Sequence, residues 1–200
     1  MLTERMSRHK MASKRSRSAE IMRKVTFGCA NSLDNFIARG DHSVDWLLWN
    51  DEVAALMKDY WQKIDTVIMG RKTWEVAMAS NPSPDAGTNP YGDMTTYVVS
   101  TTLKPADVKG ATVIAGDPGE FVRELKAGEG KEICIMGGGL LAAPLLEQGV
   151  IDEIGFNIHP VLLGSGVPLF HKMNRQIDLE LIECKALKNG CVYVLYRINN

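Results

Sequence analysis

No run of about 18 consecutive apolar residues occurs anywhere in this chain, so it offers no candidate for a membrane-spanning helix. Neither sign of charge dominates: 23 Lys and Arg stand against 24 Asp and Glu, a net charge of −1. That balance gives no electrostatic reason to expect nucleic acid or an anionic membrane as partner. Cysteine is sparse. Cys29, Cys134, Cys184 and Cys191 are scattered without metal-ligand spacing, three of them inside apolar strand-like runs. They read as reduced thiols packed as small apolar residues in a cytoplasmic protein, with no metal site. No internal repeat is visible. What remains, 45% apolar and 24% charged over 200 residues, suits one globular domain with a substantial core.

The first 21 residues depart from this picture. Met1–Ile21 carries Arg5, Arg8, Lys10, Lys14, Arg15 and Arg17 among serines and methionines, with almost no core material. Two readings stand: a targeting or nucleic-acid arm, or a disordered basic leader ahead of a start at Met22. We take residues 1–21 as the leader and 22–200 as a single domain.

From Lys24 the pattern alternates between short apolar runs and amphipathic stretches. Lys24–Ser32, Asp65–Gly70, Tyr97–Ser100, Thr112–Ala115, Glu132–Met136 and Asp152–Ile158 read as strands. Asn50 can cap a helix running to about Lys63, with Val53, Leu56, Met57, Tyr60 and Ile64 on one apolar face. Further helices are expected from Arg71 to about Ala79, over Pro118–Lys126 and over Leu140–Glu147. Asp34 and Asn35 favour a turn, and Asn81–Asp93, rich in Pro, Gly and Asn, must be a loop. Near the end, Asn189-Gly190 between two β-rich runs signals a hairpin. The sum is an α/β fold: a mainly parallel, mixed sheet of about eight strands, helices on both faces and a C-terminal antiparallel hairpin.

Two strand ends carry the chemistry. Glu132–Met136 turns on Gly137, Gly138 and Gly139 into an apolar helix beginning at Leu140. A glycine turn of this kind presents free backbone N–H groups and a helix's partial positive charge to a phosphate, although bare glycine turns also simply close tight corners. Gly70-Arg71-Lys72-Thr73 is the second, with two cations and a hydroxyl at a helix start. Alone it is an ordinary basic turn. Paired with the glycine turn, it offers a neutral site for a pyrophosphate and a charged one for a further phosphate, which suits NADPH better than NADH.

Met69–Glu75, MGRKTWE, resembles the signature of dihydrofolate reductase, and Met136–Gly139 resembles that family's glycine turn. Ser32–Ala38, Asp152-Glu153, Pro160–Gly166 and Leu169-Phe170 look more like the reductase domain of the bifunctional riboflavin-biosynthesis deaminase–reductase. The deaminase half has no counterpart: no His-x-Glu with Pro-Cys-x-x-Cys appears, which excludes zinc deamination. The resemblance, from about Met22 onward, implies a dihydrofolate-reductase-like fold, NADPH as hydride donor and a homodimer. By motif, Gly138 and Gly139 would lie on the pyrophosphate, Arg71, Lys72 and Thr73 on the adenosine phosphates, Ser100 and Thr101 by the adenine ribose phosphate, and Ala30 and Ile37 beside the nicotinamide.

The proton that accompanies hydride transfer needs an acid or a held water. By resemblance Asp51, a few residues after a tryptophan at a helix start, stands in about the right place; it also simply complements that helix N-terminus. Asp34 is another candidate, or a turn-former, and Asp45 a third. Trp46 and Trp49 could stack on a substrate ring or pack in the core, and His159 could touch substrate or be structural. The expected function is NADPH-dependent reduction of a small pterin-like or riboflavin-precursor-like heterocycle, imine or carbonyl. The rival is a nucleotide-binding regulatory module without turnover.

Overall fold

The structure is a computed structural model, and it describes residues 22–80, 89 and 91–199. The basic leader and most of the expected Asn81–Asp93 loop lie outside them. In chain order the elements are β1 (Val25–Ser32), β2 (Phe36–Ala38), α1 (Asp51–Trp61), β3 (Ile64–Gly70), α2 (Arg71–Ala79), β4 (Thr95–Val99), β5 (Thr112–Ile114), α3 (Pro118–Ala127), β6 (Glu132–Met136), α4 (Gly139–Glu147), β7 (Glu153–His159), β8 (Val167–Pro168), β9 (Leu179–Ala186) and β10 (Val192–Ile198).

An eight-stranded sheet runs in the order β5-β4-β3-β6-β1-β7-β10-β9. All pairs from β5 to β7 are parallel, whereas β10 is antiparallel to both β7 and β9. Parallel strands need covered faces, and alternation along each strand supplies both. Val25, Phe27, Ile133, Ile135, Ile154 and Phe156 point to one face and pack with Val122 of α3 and Leu141, Leu145 and Leu146 of α4. On the other face Val67, Met69 and Cys134 meet Trp74 of α2. Val53 of α1 closes on Leu187 and Cys191 of the hairpin. Each fully buried side chain such as Phe27 or Leu145 contributes roughly 2 kcal/mol.

A second sheet of two strands, β2 with β8, was not expected from the sequence, where Asp34 and Asn35 signal only a turn. Three- and two-residue strands leave no periodicity to detect. Their pairing is braced by Asp34. Its carboxylate accepts from the Ser32 hydroxyl at 2.6 Å, from Leu163 N–H at 3.1 Å and from Gly164 N–H at 2.7 Å. Leu33 N–H to the Val161 carbonyl and Leu169 N–H to the Asn35 carbonyl complete the brace.

At the other end of the sheet, Arg23 is buried against Asp65 and also donates to Thr66 Oγ1 at 2.7 Å and the Lys131 carbonyl at 2.7 Å. Lys126, equally buried, pairs with Asp152 at 2.7 Å and reaches the Val150 carbonyl at 3.2 Å. These ion pairs sit near the starts of β1, β3, β6 and β7 and anchor the fold there.

Candidate active site

A cavity of about 890 Å³ opens across the carboxyl halves of β1, β3, β6 and β7, the edge where parallel sheets hold ligands. The sequence makes room for it. Gly28 of β1 is the register partner of Gly155 of β7, so two adjacent strands lack side chains at one level. Mid-strand glycine marks close approach, and here the approaching groups are phenols. A Cβ on Gly28 would stand 3.4 Å from the Tyr60 hydroxyl, and one on Gly155 would stand 3.6 Å from the Tyr193 hydroxyl. Helix α1 roofs this part with Val53, Leu56, Met57, Tyr60 and Trp61.

The two strand-end turns meet at the other part. A Cβ on Gly137 would come within 2.7 Å of Thr73 Oγ1, so the glycine turn rests directly on the start of α2. Gly137 and Gly138 have φ of 65° and 33°, conformations that only glycine takes without strain. Helices α2 and α4 begin at Gly70 and Gly138 with no side-chain cap, leaving their first N–H groups open. Around Gly70 nothing lies within 4 Å of where a side chain would start, whereas Gly139 is buried and a Cβ there would overlap the Leu169 carbonyl. Gly70 is thus an open approach and Gly139 a packing contact.

Of the residues expected at the site, Ala30, Ile37, Trp49, Gly70, Arg71, Lys72, Thr73, Gly137, Gly138, Gly139, Leu140 and His159 line this cavity. Asp51, Asp34, Trp46, Ser100 and Thr101 do not. Ser100 turns its hydroxyl oxygen to the N–H groups of Thr102 and Leu103, at 3.2 and 3.0 Å, and Thr101 is exposed beside it. Asp51 is exposed in the first turn of α1, beside the cap that Asn50 gives to Val53 N–H at 2.9 Å. Asp34 is committed to the brace, and the Ser32 hydrogen bond holds its carboxyl below the usual range. Trp46 is buried edge-on against His159, with ring centres 5.3 Å apart, so it packs rather than faces a ligand.

His159 also has a structural task. Its Nδ1 accepts from Leu48 N–H at 3.1 Å and so pins the loop before α1. The ring hydrogen is then on Nε2, 3.3 Å from the Asn157 amide, which is satisfied when the amide oxygen faces the ring. Burial lowers the His159 pKa and keeps the ring neutral.

Sequence reasoning missed Gly28, Tyr60, Trp61, Cys134, Gly155 and Tyr193, all on the cavity wall. The periodic face of α1 read as core. The two mid-strand glycines were the available signal. Burial pushes the Cys134 thiol up to about 12, and raises the Tyr60 and Tyr193 phenols above their usual value, so all three stay protonated. No Asp or Glu lies on the wall among the described residues, and no cluster of His, Cys, Asp and Glu there could hold a metal. No helix among them is long and apolar enough to cross a membrane.

This architecture, a central parallel sheet with an antiparallel hairpin and a ligand cavity between two glycine-led helix starts, is that of the dihydrofolate-reductase-like proteins. The protein belongs to the RibD C-terminal domain family, whose model matches residues 23–193. Two uncharacterized Bacillus subtilis (strain 168) proteins are similar along most of their length. YyaP is 31% identical over 183 residues, 88% of this chain and 96% of its own. YwjB is 36% identical over 160 residues, 80% of this chain and 89% of its own. Among solved structures, a putative riboflavin biosynthesis protein from Shewanella sp. PV-4 matches with TM-score 0.74 and 22% identity, over 88% of this chain and 99% of that one. Dihydrofolate reductase from Enterococcus faecalis, complexed with NADP(H), matches with TM-score 0.60 and 16% identity, over 88% of this chain and 97% of that one. At such identities these two share the fold. Family membership makes this a chain of oxidoreductase type.

Proposed function

We propose that the protein is an NADPH-dependent reductase acting on a small heterocyclic, imine or carbonyl compound. The observation that carries this reading is the meeting of the two uncapped helix starts on one cavity, with Thr73 between them and Arg71 and Lys72 exposed alongside. A dinucleotide needs such a pair: bare N–H groups for phosphates close in, and cations for a phosphate further out. Gly70 leaves open backbone for close approach. Arg71 pairs with Glu75 at 3.5 Å, an exposed i,i+4 contact weak enough to be given up for a phosphate.

Ala30 and Ile37 would hold the nicotinamide, whose chemistry when bound would be hydride donation. The chain itself orients the acceptor and keeps water from the apolar wall. With no carboxylate on the cavity wall among the described residues, the accompanying proton comes from water or through a protonated phenol, rather than from Asp51 or Asp34.

In the same reading the chain forms a homodimer through β9. That edge strand is exposed along its whole length and shows Leu179, Leu181 and Ile182. Sedimentation of the native chain and of Leu181→Lys tests this.

Titration with NADPH and NADH tests the cofactor reading. Micromolar NADPH binding is expected, with a preference over NADH that Arg71→Ala and Lys72→Ala together remove. No NADPH binding, or no effect of the paired change, overturns it. Tight binding without oxidation on any imine or carbonyl supplied would instead favour a nucleotide-binding module.

A further inference from the structure

Arg71 and Lys72 are the Lys and Arg side chains on the described cavity wall, and both stand at one end; His42, on the loop after β2, lines it as well. Arg71 and Lys72 stand at the start of α2, on the side where the glycine turn rests on Thr73. His171 belongs to that side too, since its Cδ2 lies 3.0 Å from where a Gly139 Cβ would be. The other part of the wall is Gly28, Cys134, Gly155 and Tyr193 of the sheet, under Val53, Leu56, Met57, Tyr60 and Trp61. Not one of these carries a charge, and His159 nearby is buried with Nδ1 already engaged.

A phosphate or carboxylate taken under α1 would lose water without gaining a Lys or Arg partner among the described residues. The polar groups present there are the Tyr60 and Tyr193 phenols and the amide of Asn157. The Tyr60 hydroxyl is buried and has no hydrogen-bond partner among the described residues; only the Cys134 thiol, a weak acceptor, adjoins it. A buried hydroxyl left without a partner is unusual and destabilising. A ligand oxygen or nitrogen with a lone pair would satisfy it.

Resting on the reductase reading, we propose that the substrate is an uncharged, ring-sized, mostly apolar carbonyl or imine compound bearing neither phosphate nor carboxylate, and that Tyr60 donates a hydrogen bond to its heteroatom. This separates the chain's substrate from any phosphoribosyl-bearing heterocycle, despite the family it belongs to.

Calorimetric titration with quinazolin-4-one and with its 2-carboxylate tests the proposal on the full chain. The neutral ring is expected to bind at least ten-fold more tightly than the carboxylate. Tyr60→Phe is expected to weaken the neutral ring about ten-fold and leave NADPH affinity unchanged. Its thermal midpoint should stay level or rise, because an unpaired hydroxyl has been removed. Equal or tighter binding of the carboxylate, failure of the neutral ring to bind at millimolar concentration, or indifference of its affinity to Tyr60→Phe overturns the proposal. If the ring preferences hold while NADPH does not bind, the cofactor reading falls and the pocket reading stands.

Discussion

Helices α1 and α3 begin with a side chain that caps them, while α2 and α4 begin with glycine. Asn50 accepts from Val53 N–H at 2.9 Å, and Asp117 accepts from Glu120 N–H at 2.9 Å. Gly70 and Gly138 offer nothing of the kind. A cap typically contributes about 1 kcal/mol of stability. Forgoing it at two helix starts that both face the same cavity keeps their N–H groups available to something from outside the chain. The chain has given up local stability at the two helix starts that meet on the glycine turn and kept it at the other two.

The two glycine starts are not equivalent, and the largest expected effect separates them. Gly139→Ala sets a methyl against the Leu169 carbonyl and should destabilise the fold by about 3 kcal/mol, read from denaturant midpoints. Gly70→Asp should do nearly the reverse. Gly70 has cap-like backbone angles, φ −80° and ψ 162°, and open space around it. Aspartate there caps α2 and should raise stability by a few tenths of a kcal/mol, while its charge drives NADPH affinity down by about a hundred-fold. If that variant binds NADPH as well as the parent, the contrast between capped and open starts has no functional meaning. Asp117→Ala should cost about 1 kcal/mol of stability and leave nucleotide affinity alone, as thermal unfolding with and without NADPH would show.

The smallest effect concerns the loop ahead of α1. His159 is held neutral by burial, so its folded pKa lies below the unfolded value near 6.5. The unfolded chain then binds more protons once pH falls below about 6.5, and stability declines from there toward the folded pKa. Unfolding curves at pH 7.0 and 5.5 should differ, and His159→Gln should flatten that difference. A pH dependence unchanged in this variant would assign it to other groups.

Much of the sheet was legible. Six parallel strands and the Asn189-Gly190 hairpin appear within one or two residues of their expected limits, because fully buried strands between turn residues leave a strong pattern. The Gly70–Thr73 and Gly137–Gly139 turns were legible for the same reason that they are chemically useful: glycine and paired cations at strand ends are conspicuous. The substrate end was not. Tyr60 is one more member of an apolar helix face, and only its position over Gly28, on a strand far away in sequence, shows that it faces a cavity. Asp51 was drawn in by its distance from a tryptophan, but Trp46 packs on His159 and the helix start turns Asp51 to solvent. Spacing along a chain places a residue on an element; which way that element faces is decided by partners elsewhere.

The brace built on Asp34 has a bearing on how anything reaches the cavity. It joins a turn near the beginning of the fold to a loop about 130 positions later, and Ile37, Gly166 and Pro168 stand on the wall beside it. A carboxylate gripping three donors makes this side behave as a rigid jamb. Whatever enters the cavity passes beside this fixed edge, and replacing Asp34 with alanine would loosen the doorway without touching any group that handles the guest.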